Sequence, residues 1–345
     1  MIKSGKRRNV FSIMALLVSV GIIYLLWCIW GPNTGAMPNG NYLYIHTGAT
    51  YANVEQSLAE GGFIKSEFAF KLLANFAKYP AHVHAGKYKI EAGMSNSGII
   101  RMLRNGHQEP VRLVINKLRT KQDFAQLLSR NLENDSAKVM QWLTDAAFAN
   151  ALQLDTTTIM CAVMPDTYEL YWNTDMPKVM DKIVKNYTHF WTIDRKAAAA
   201  KQGLTPAKAI ILASIIEEES NKNDEKPFIA STYINRLHKH MPLQADPTLK
   251  FAVGNFALRR IGGALLKVSS PYNTYINTGL PPGPICTPSP ASIEAVLHAP
   301  ATNYLYFCAK PDFSGFHQFT GNYTEQMRNA KAYQKALNEI GRAHV

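Results

Sequence analysis

The sequence predicts an α+β protein carried on a single membrane-spanning helix near its N-terminus. Three observations lead there: an unbroken apolar run close to the start, short strand-like segments interleaved with capped helices, and no internal repeat or low-complexity tract. The 345 residues are 47% hydrophobic and 18% charged, which suits a folded chain with room for two domains rather than a disordered one.

Residues 1–9 carry Lys3, Lys6, Arg7 and Arg8, and residues 10–30, "VFSIMALLVSVGIIYLLWCIW", carry no charge. As a helix this run spans about 32 Å, enough to cross a bilayer's hydrocarbon core. A cleaved signal peptide would have a shorter apolar region and a small-residue cleavage site, which "WCIWGPNTG" does not offer. Tyr24, Trp27 and Trp30 suit the outer headgroup layer. Four cations precede the run, and no charge follows it until Glu55. The positive-inside rule therefore leaves residues 1–9 cytoplasmic and everything after residue 30 outside, in the periplasm or its equivalent.

Residues 31–40, "GPNTGAMPNG", read as a linker lifting the body off the membrane. From 41 to 115 a small unit is expected. "NYLYIHT" is a strand, "TYANVEQSLAEGGF" a Thr-capped helix ending at Gly61-Gly62, and "SEFAFKLLANFAKY" a second helix. "AGKYKIEAGMSNSGIIRMLRNG" reads as strand, turn and a helix closed by Gly106, and "PVRLVINK" as another strand. Residues 116–345 form the larger unit. It is helical to about residue 200 apart from the loop "MPDTYELYWNT", then has Pro- and Gly-rich loops between helices.

The composition excludes several function classes. There is no Walker or dinucleotide glycine pattern, so no nucleotide cofactor is expected. Cys28, Cys161, Cys286 and Cys308 lack CxxC or Cys/His ligand spacing, and His240 and His317 stand alone, so no metal is expected. The three cysteines beyond the apolar run read as core thiols, with oxidation of one pair outside the cell left open. The net charge of +12 keeps an excess of about +8 beyond the basic tail. Across a membrane, an anionic polymer or surface suits that excess better than nucleic acid.

One helix attracts chemistry. "TPAKAIILASIIEEES" opens with a Thr205 cap and Pro206 at the first helical position, and closes on three glutamates. Residues three, four, seven and eight before Glu219 are Ile216, Ile215, Leu212 and Ile211, a wholly apolar stripe. Glu217 looks back on Ser214, Ala213, Ile210 and Ala209, a smaller and more polar face. Glu219 thus continues the buried face, where lost hydration and the like charges of Glu217 and Glu218 raise a carboxyl pKa. A glutamic acid still protonated near neutrality can protonate a leaving group. The pattern is equally compatible with a helix that ends near Ser220 with all three glutamates solvated.

Further segments bear on that choice. "ASIIEEES", "STYINRLHKHMPLQADPTLKFAVGN" (residues 231–255), "SSPYNTYINTGLPPGPICTPSPASIEAVLHAP" (269–300) and "NYLYFCAKPDFSGFHQF" (303–319) stand in this order. Together with "MPDTYELYWNT", they resemble the YceG-like, or MltG-type, endolytic murein transglycosylases, from the anchor to about residue 335. The family pattern has Thr or Ala after the catalytic glutamate and Lys before it; here Ser220 and Glu218 occupy those places. An E-G pair often found after the small domain is replaced by "VINKLRT".

The resemblance implies a small LysM-like domain at 41–115, a YceG-like catalytic domain at 116–345, and Glu219 as the catalytic acid. It implies a lyase that cuts the bond between N-acetylmuramic acid and N-acetylglucosamine in nascent peptidoglycan, leaves a 1,6-anhydro end, and works beside peptidoglycan synthases. Asn235, Gln244, Tyr272, Asn273, Thr274 and Tyr275 are the expected sugar contacts, because amides suit acetamido groups and aromatic faces stack on pyranose rings. Gly279–Ile285 reads as a rigid loop walling the groove, with Pro281 and Pro282 fixing φ. Asp246, followed by Pro247, reads first as a helix cap. Two other readings stay open: a membrane-tethered glycan-binding scaffold without catalysis, and a hydrolytic muramidase using Asp246 or another acid as second carboxylate.

Overall fold

The computed structural model describes residues 3–258 and 261–343. Side chains of residues 3–10, 25 and 340–343 lie outside the description, including those of Lys3, Lys6, Arg7 and Arg8, as do the outermost ends of the expected tail and second domain. The chain divides into two units. One comprises residues up to 112 with 130–134 and 169–175; the other holds 113–129, 135–168 and 176 onward.

In the first unit, α1 (Lys3–Trp30) continues through the basic tail and the apolar run. Its segment Phe11–Trp30 has a mean hydropathy of 2.4, and none of it is buried in the protein. β1 (Tyr42–Ile45) and β2 (Gly86–Lys89) form an antiparallel pair with Tyr42 opposite Lys89 and Ile45 opposite Gly86. Between them lie α2 (Tyr51–Glu60) and α3 (Glu67–Phe76), and α4 (Asn96–Arg104) follows. Thr50 and Asn53 form a reciprocal capping box on α2, while Ser66 and Ser95 cap α3 and α4. The core gathers Leu43, Leu58, Phe70, Tyr88, Ile99 and Leu103.

The expected linker is instead part of this unit. Pro32 bridges Ser95 and Thr34 bridges Ile64. Asn33 is buried, donates to Asn96 Oδ1 at 2.6 Å and accepts from the Ser66 backbone N–H at 2.9 Å. Asn96 in turn donates to the Cys28 carbonyl at 2.8 Å, tying the end of α1 to α4. Composition alone suggested a spacer, but the Asn33 and Asn96 amides give these residues fixed partners.

The chain enters the second unit within β3 (Val111–Ile115), which pairs with β4 (Asp166–Leu170). Within the segment expected as a loop at 164–174, residues 166–170 are thus a strand, with Tyr168 and Leu170 buried and Thr167 and Glu169 exposed. Asp166, exposed although it shares the parity of Tyr168 and Leu170, hid the two-residue period. α5 (Lys121–Asn131), α6 (Ser136–Thr144), α7 (Ala146–Ala151), α8 (Met176–Phe190) and α9 (Ile193–Lys201) confirm the helical middle. α10 (Pro206–Glu219) packs against α9, α11 (Lys226–His238), α12 (Asp246–Ala252) and α13 (Pro290–Leu297). An unforeseen hairpin follows, β5 (Tyr306–Ala309) with β6 (His317–Thr320), and then α14 (Tyr323–Ala343).

All residues from Ala209 to Ile216 are buried, so α10 is enclosed all round rather than along one stripe. Its small residues, Ala209, Ala213 and Ser214, let neighbours approach the face that looked more polar. Ser214 donates to the Ile211 carbonyl at 2.7 Å and accepts the buried Ile285 N–H at 3.0 Å. All four cysteines are free thiols, so the open question of an oxidised pair resolves against a disulfide. Burial pushes the Cys161 and Cys286 thiols up, which keeps them protonated and unreactive.

Replacing Ser214 with Ala strands the Ile285 N–H inside the core. Chemical denaturation of Ser214→Ala is expected to show a loss of about 1–3 kcal/mol with an unchanged m-value.

Candidate active site

Three consecutive glutamates end α10, and each meets different surroundings. Glu217 Oε2 accepts from the Ser289 hydroxyl at 2.6 Å, the Ser292 hydroxyl at 2.5 Å and the buried Lys226 ammonium at 3.2 Å. Burial alone would raise its pKa, but those donors and that cation outweigh it and hold Glu217 below the usual range. Glu218 pairs with Lys117 at 3.0 Å and Arg119 at 3.2 Å. Both carboxylates are committed to structure.

Among the described residues Glu219 has no salt-bridge partner, and its one hydrogen-bond donor is the Tyr233 hydroxyl, 2.7 Å from Oε1. Burial pushes its pKa up; the Tyr233 bond pulls it down, the Asp246 charge adds to the rise, and Lys250 opposes it. The result is about 7. The like charge that matters therefore belongs to Asp246, across the site, rather than to Glu217 and Glu218. A group at this pKa is protonated about half the time at neutrality, so it can give a proton and take one back.

The Glu219 carboxyl lies in a cavity of about 380 Å³. α11 contributes Tyr233 and Arg236, three residues apart and so on one helix face. The 244–275 region contributes Gln244, Asp246 and Tyr275; Tyr306, Phe307, Tyr323 and Gln326 come from β5 and α14. The Tyr233 ring meets Phe307 edge-on at 5.7 Å, and Tyr306 lies 5.7 Å from Tyr323. Arg236 is 8% exposed and spends its guanidinium on the Leu305, Pro242 and Leu243 carbonyls, which braces this wall.

Asp246 is the first residue of α12, not its cap, and its side chain makes no capping bond. Its Oδ1 accepts instead from the Tyr275 hydroxyl at 2.5 Å. Two acids and two tyrosines thus face one cavity: Glu219 with Tyr233, and Asp246 with Tyr275.

Of the residues singled out from sequence, Glu219, Gln244, Asp246 and Tyr275 line this cavity. Gln244 is exposed, holds φ at +52°, and its Oε1 accepts from Arg236. Asn235 donates both amide hydrogens to the Thr302 and Tyr304 carbonyls at 2.9 Å, fixing the approach to β5. Asn273 is fully buried and donates to the Leu266 and Val268 carbonyls. Thr274 accepts from the Ala245 N–H and shares a hydrogen bond with Thr248, which clamps the Tyr275 segment to the start of α12. Tyr272 packs its ring 4.7 Å from Phe251. None of these last four lines the cavity.

The loop expected to wall the groove lines a different space. Gly279, Pro281 and Pro282 border a separate cavity of about 840 Å³ with Asp155, Lys208 and His238. His317 is held by Glu225, its Nδ1 3.1 Å from Oε2. Tyr233, Arg236, Tyr306, Tyr323 and Gln326 were not selected from sequence. The i, i+3 spacing of Tyr233 and Arg236 in "TYINRL" was the available signal.

Comparison with known proteins gives the chain its relatives. A family model described as the YceG-like family matches residues 43–332. The endolytic murein transglycosylase of Bacillus subtilis (strain 168) is 30% identical over 311 residues, covering 86% of this chain and 85% of that protein. The endolytic murein transglycosylase of Streptococcus pneumoniae serotype 2 (strain D39) is 27% identical over 304 residues, which cover 77% of this chain and 53% of the pneumococcal protein. The crystal structure of a yceG-like protein from Listeria monocytogenes superposes with a TM-score of 0.57 at 26% identity, covering 83% of this chain and 97% of that one.

The opposing influences on Glu219 predict opposite shifts. Carboxyl-selective ¹³C NMR is expected to show a higher Glu219 pKa in Tyr233→Phe and a lower one in Asp246→Asn. Stability follows the same carboxyl. Its folded pKa exceeds the unfolded value, so its contribution is complete below about pH 4.5 and is lost as pH rises through about 7. Glu219→Gln removes that dependence. Relative to wild type it is expected to gain on the order of 2–3 kcal/mol between pH 4.5 and pH 8, measured by denaturant unfolding.

Proposed function

The chain belongs to the YceG-like family, and from that premise we propose that it is an endolytic murein transglycosylase, a lyase that cuts peptidoglycan glycan strands internally. The observation that carries the reading is Glu219: a carboxyl with a pKa of about 7, bonded by Tyr233, opening on a cavity walled by aromatic rings.

The protonated carboxyl gives its proton to the oxygen bridging N-acetylmuramic acid C1 and the next N-acetylglucosamine. The C1–O bond breaks and the N-acetylglucosamine leaves with a free hydroxyl. The muramic C6 hydroxyl then closes on C1, and its proton returns to the Glu219 carboxylate. The product is a 1,6-anhydro end, no water is consumed, and the acid is regenerated. One carboxyl near neutral pKa suffices for both steps, whereas hydrolysis recruits a second acid to activate water. Gln244 and Tyr275, beside Glu219 in the cavity, are the proposed sugar contacts. Asn235, Asn273 and Thr274 support them from behind, and Tyr272 acts through packing.

The apolar segment Phe11–Trp30 serves as a single-pass anchor in the cell membrane. The basic flank is consistent with a cytoplasmic N-terminus and an extracytoplasmic body, close to where new strands emerge. Residues 41–115 act as a LysM-like glycan-holding domain and 116–345 as the catalytic domain. The basic excess favours a polymer bearing anionic stem peptides. A peptidoglycan synthase is the proposed partner, on family resemblance alone.

Glu219→Gln is expected to abolish cleavage of purified glycan strands while leaving strand binding within about twofold, since the amide keeps the shape but cannot give a proton. Mass spectrometry of wild-type products is expected to show anhydro-muramyl ends. Reducing ends about one water heavier would identify a hydrolase instead. Full activity in the Gln variant would remove Glu219 from the reaction.

A further inference from the structure

The first unit carries an apolar surface that catalysis does not use. On α3, Phe68, Leu72 and Phe76 are 79%, 56% and 87% exposed. They stand four residues apart, so they form one stripe drifting only about 40° per step. The other side of α3 already fills the core with Phe70 and Ala74. α3 is therefore apolar on two sides, and the outer side is left largely exposed. Scattered exposed hydrophobics are ordinary, but a continuous aromatic stripe on one helix marks an interaction surface.

What covers it follows from its neighbours. The stripe forms one apolar groove of about 490 Å³ with Tyr24, Cys28 and Ile29, the last two turns of the membrane span. Trp27 and Trp30 beside them are 63% and 64% exposed, as expected of an aromatic belt at the headgroup layer. The attachment is fixed, because Asn96 holds the Cys28 carbonyl while Asn33 binds both Asn96 and the first turn of α3. Lys65 and Lys78, both exposed, flank the two ends of α3, where they would meet headgroup phosphates.

We infer that α3 is a second membrane contact: its Phe68–Leu72–Phe76 face lies in the outer headgroup layer beside the span and seats the first unit on the lipid surface. Interfacial helices bury such a face about 5–10 Å into that layer. The continuity with the lipid-facing surface of α1 favours lipid over a protein partner. The inference rests on the anchor reading of Phe11–Trp30.

Photocrosslinking in cells expressing the full-length chain separates the two. A benzoylphenylalanine probe replaces Phe68, Leu72 or Phe76 in turn, and Leu17, inside the span, serves as the reference. After irradiation, mass spectrometry of the purified chain is expected to show lipid adducts at Leu17 and at all three stripe positions. With the probe at Leu72, the pair Phe68→Ser and Phe76→Ser is expected to cut the lipid adduct about tenfold, since two of the three anchoring rings are gone. Lipid adducts at Leu17 with none on the stripe overturn this inference alone. Crosslinks from the stripe to a second copy or another protein also overturn it. No lipid adduct at any position overturns the anchor reading and this inference together.

Discussion

The proposed chemistry depends on keeping one carboxyl out of water with no salt-bridge partner among the described residues. α10 is enclosed over most of its length, and its last residue, Glu219, emerges into a cavity with a tyrosine hydroxyl as its hydrogen-bond partner. Its immediate neighbours receive the opposite treatment. Lys226 with two serines, and Lys117 with Arg119, satisfy Glu217 and Glu218. Because those cations pair with Glu217 and Glu218 rather than with Glu219, they do not cancel the rise in its pKa.

The second acid refines this setting. Asp246 reaches the cavity because the Thr274–Ala245 and Thr274–Thr248 bonds clamp two segments 26 or more residues apart. Its charge raises the Glu219 pKa, while the Tyr275 hydroxyl occupies one of its oxygens. Asp246 thus acts on Glu219 through its charge, and the Arg236 bonds to the Leu305 and Leu243 carbonyls tie the aromatic side of the cavity together.

Local signals were legible in the sequence and distant ones were not. The Thr50 and Thr205 caps, the Pro206 start and the β1 and β2 segments depend on residues a few positions apart, and they stand where expected. Glu219 has the raised pKa read from its helix, but for a partly different reason, because α10 has no single buried face and the like charge comes from Asp246. The Asp246–Tyr275 bond spans 29 residues and the Glu219–Tyr233 bond joins two helices, so neither leaves a period to read. Residues 31–40 looked like a spacer because their Gly, Pro and Asn content is that of a linker, although Asn33 is fixed by partners 33 and 63 residues away.

The most direct measurement is kcat/KM against pH for wild-type enzyme on an uncrosslinked glycan strand. The account predicts a rate that falls tenfold per pH unit above about 7, as the acid form of Glu219 is lost from the free enzyme. A limb near the ordinary carboxylate value of about 4.5, with little activity left at neutrality, would contradict it.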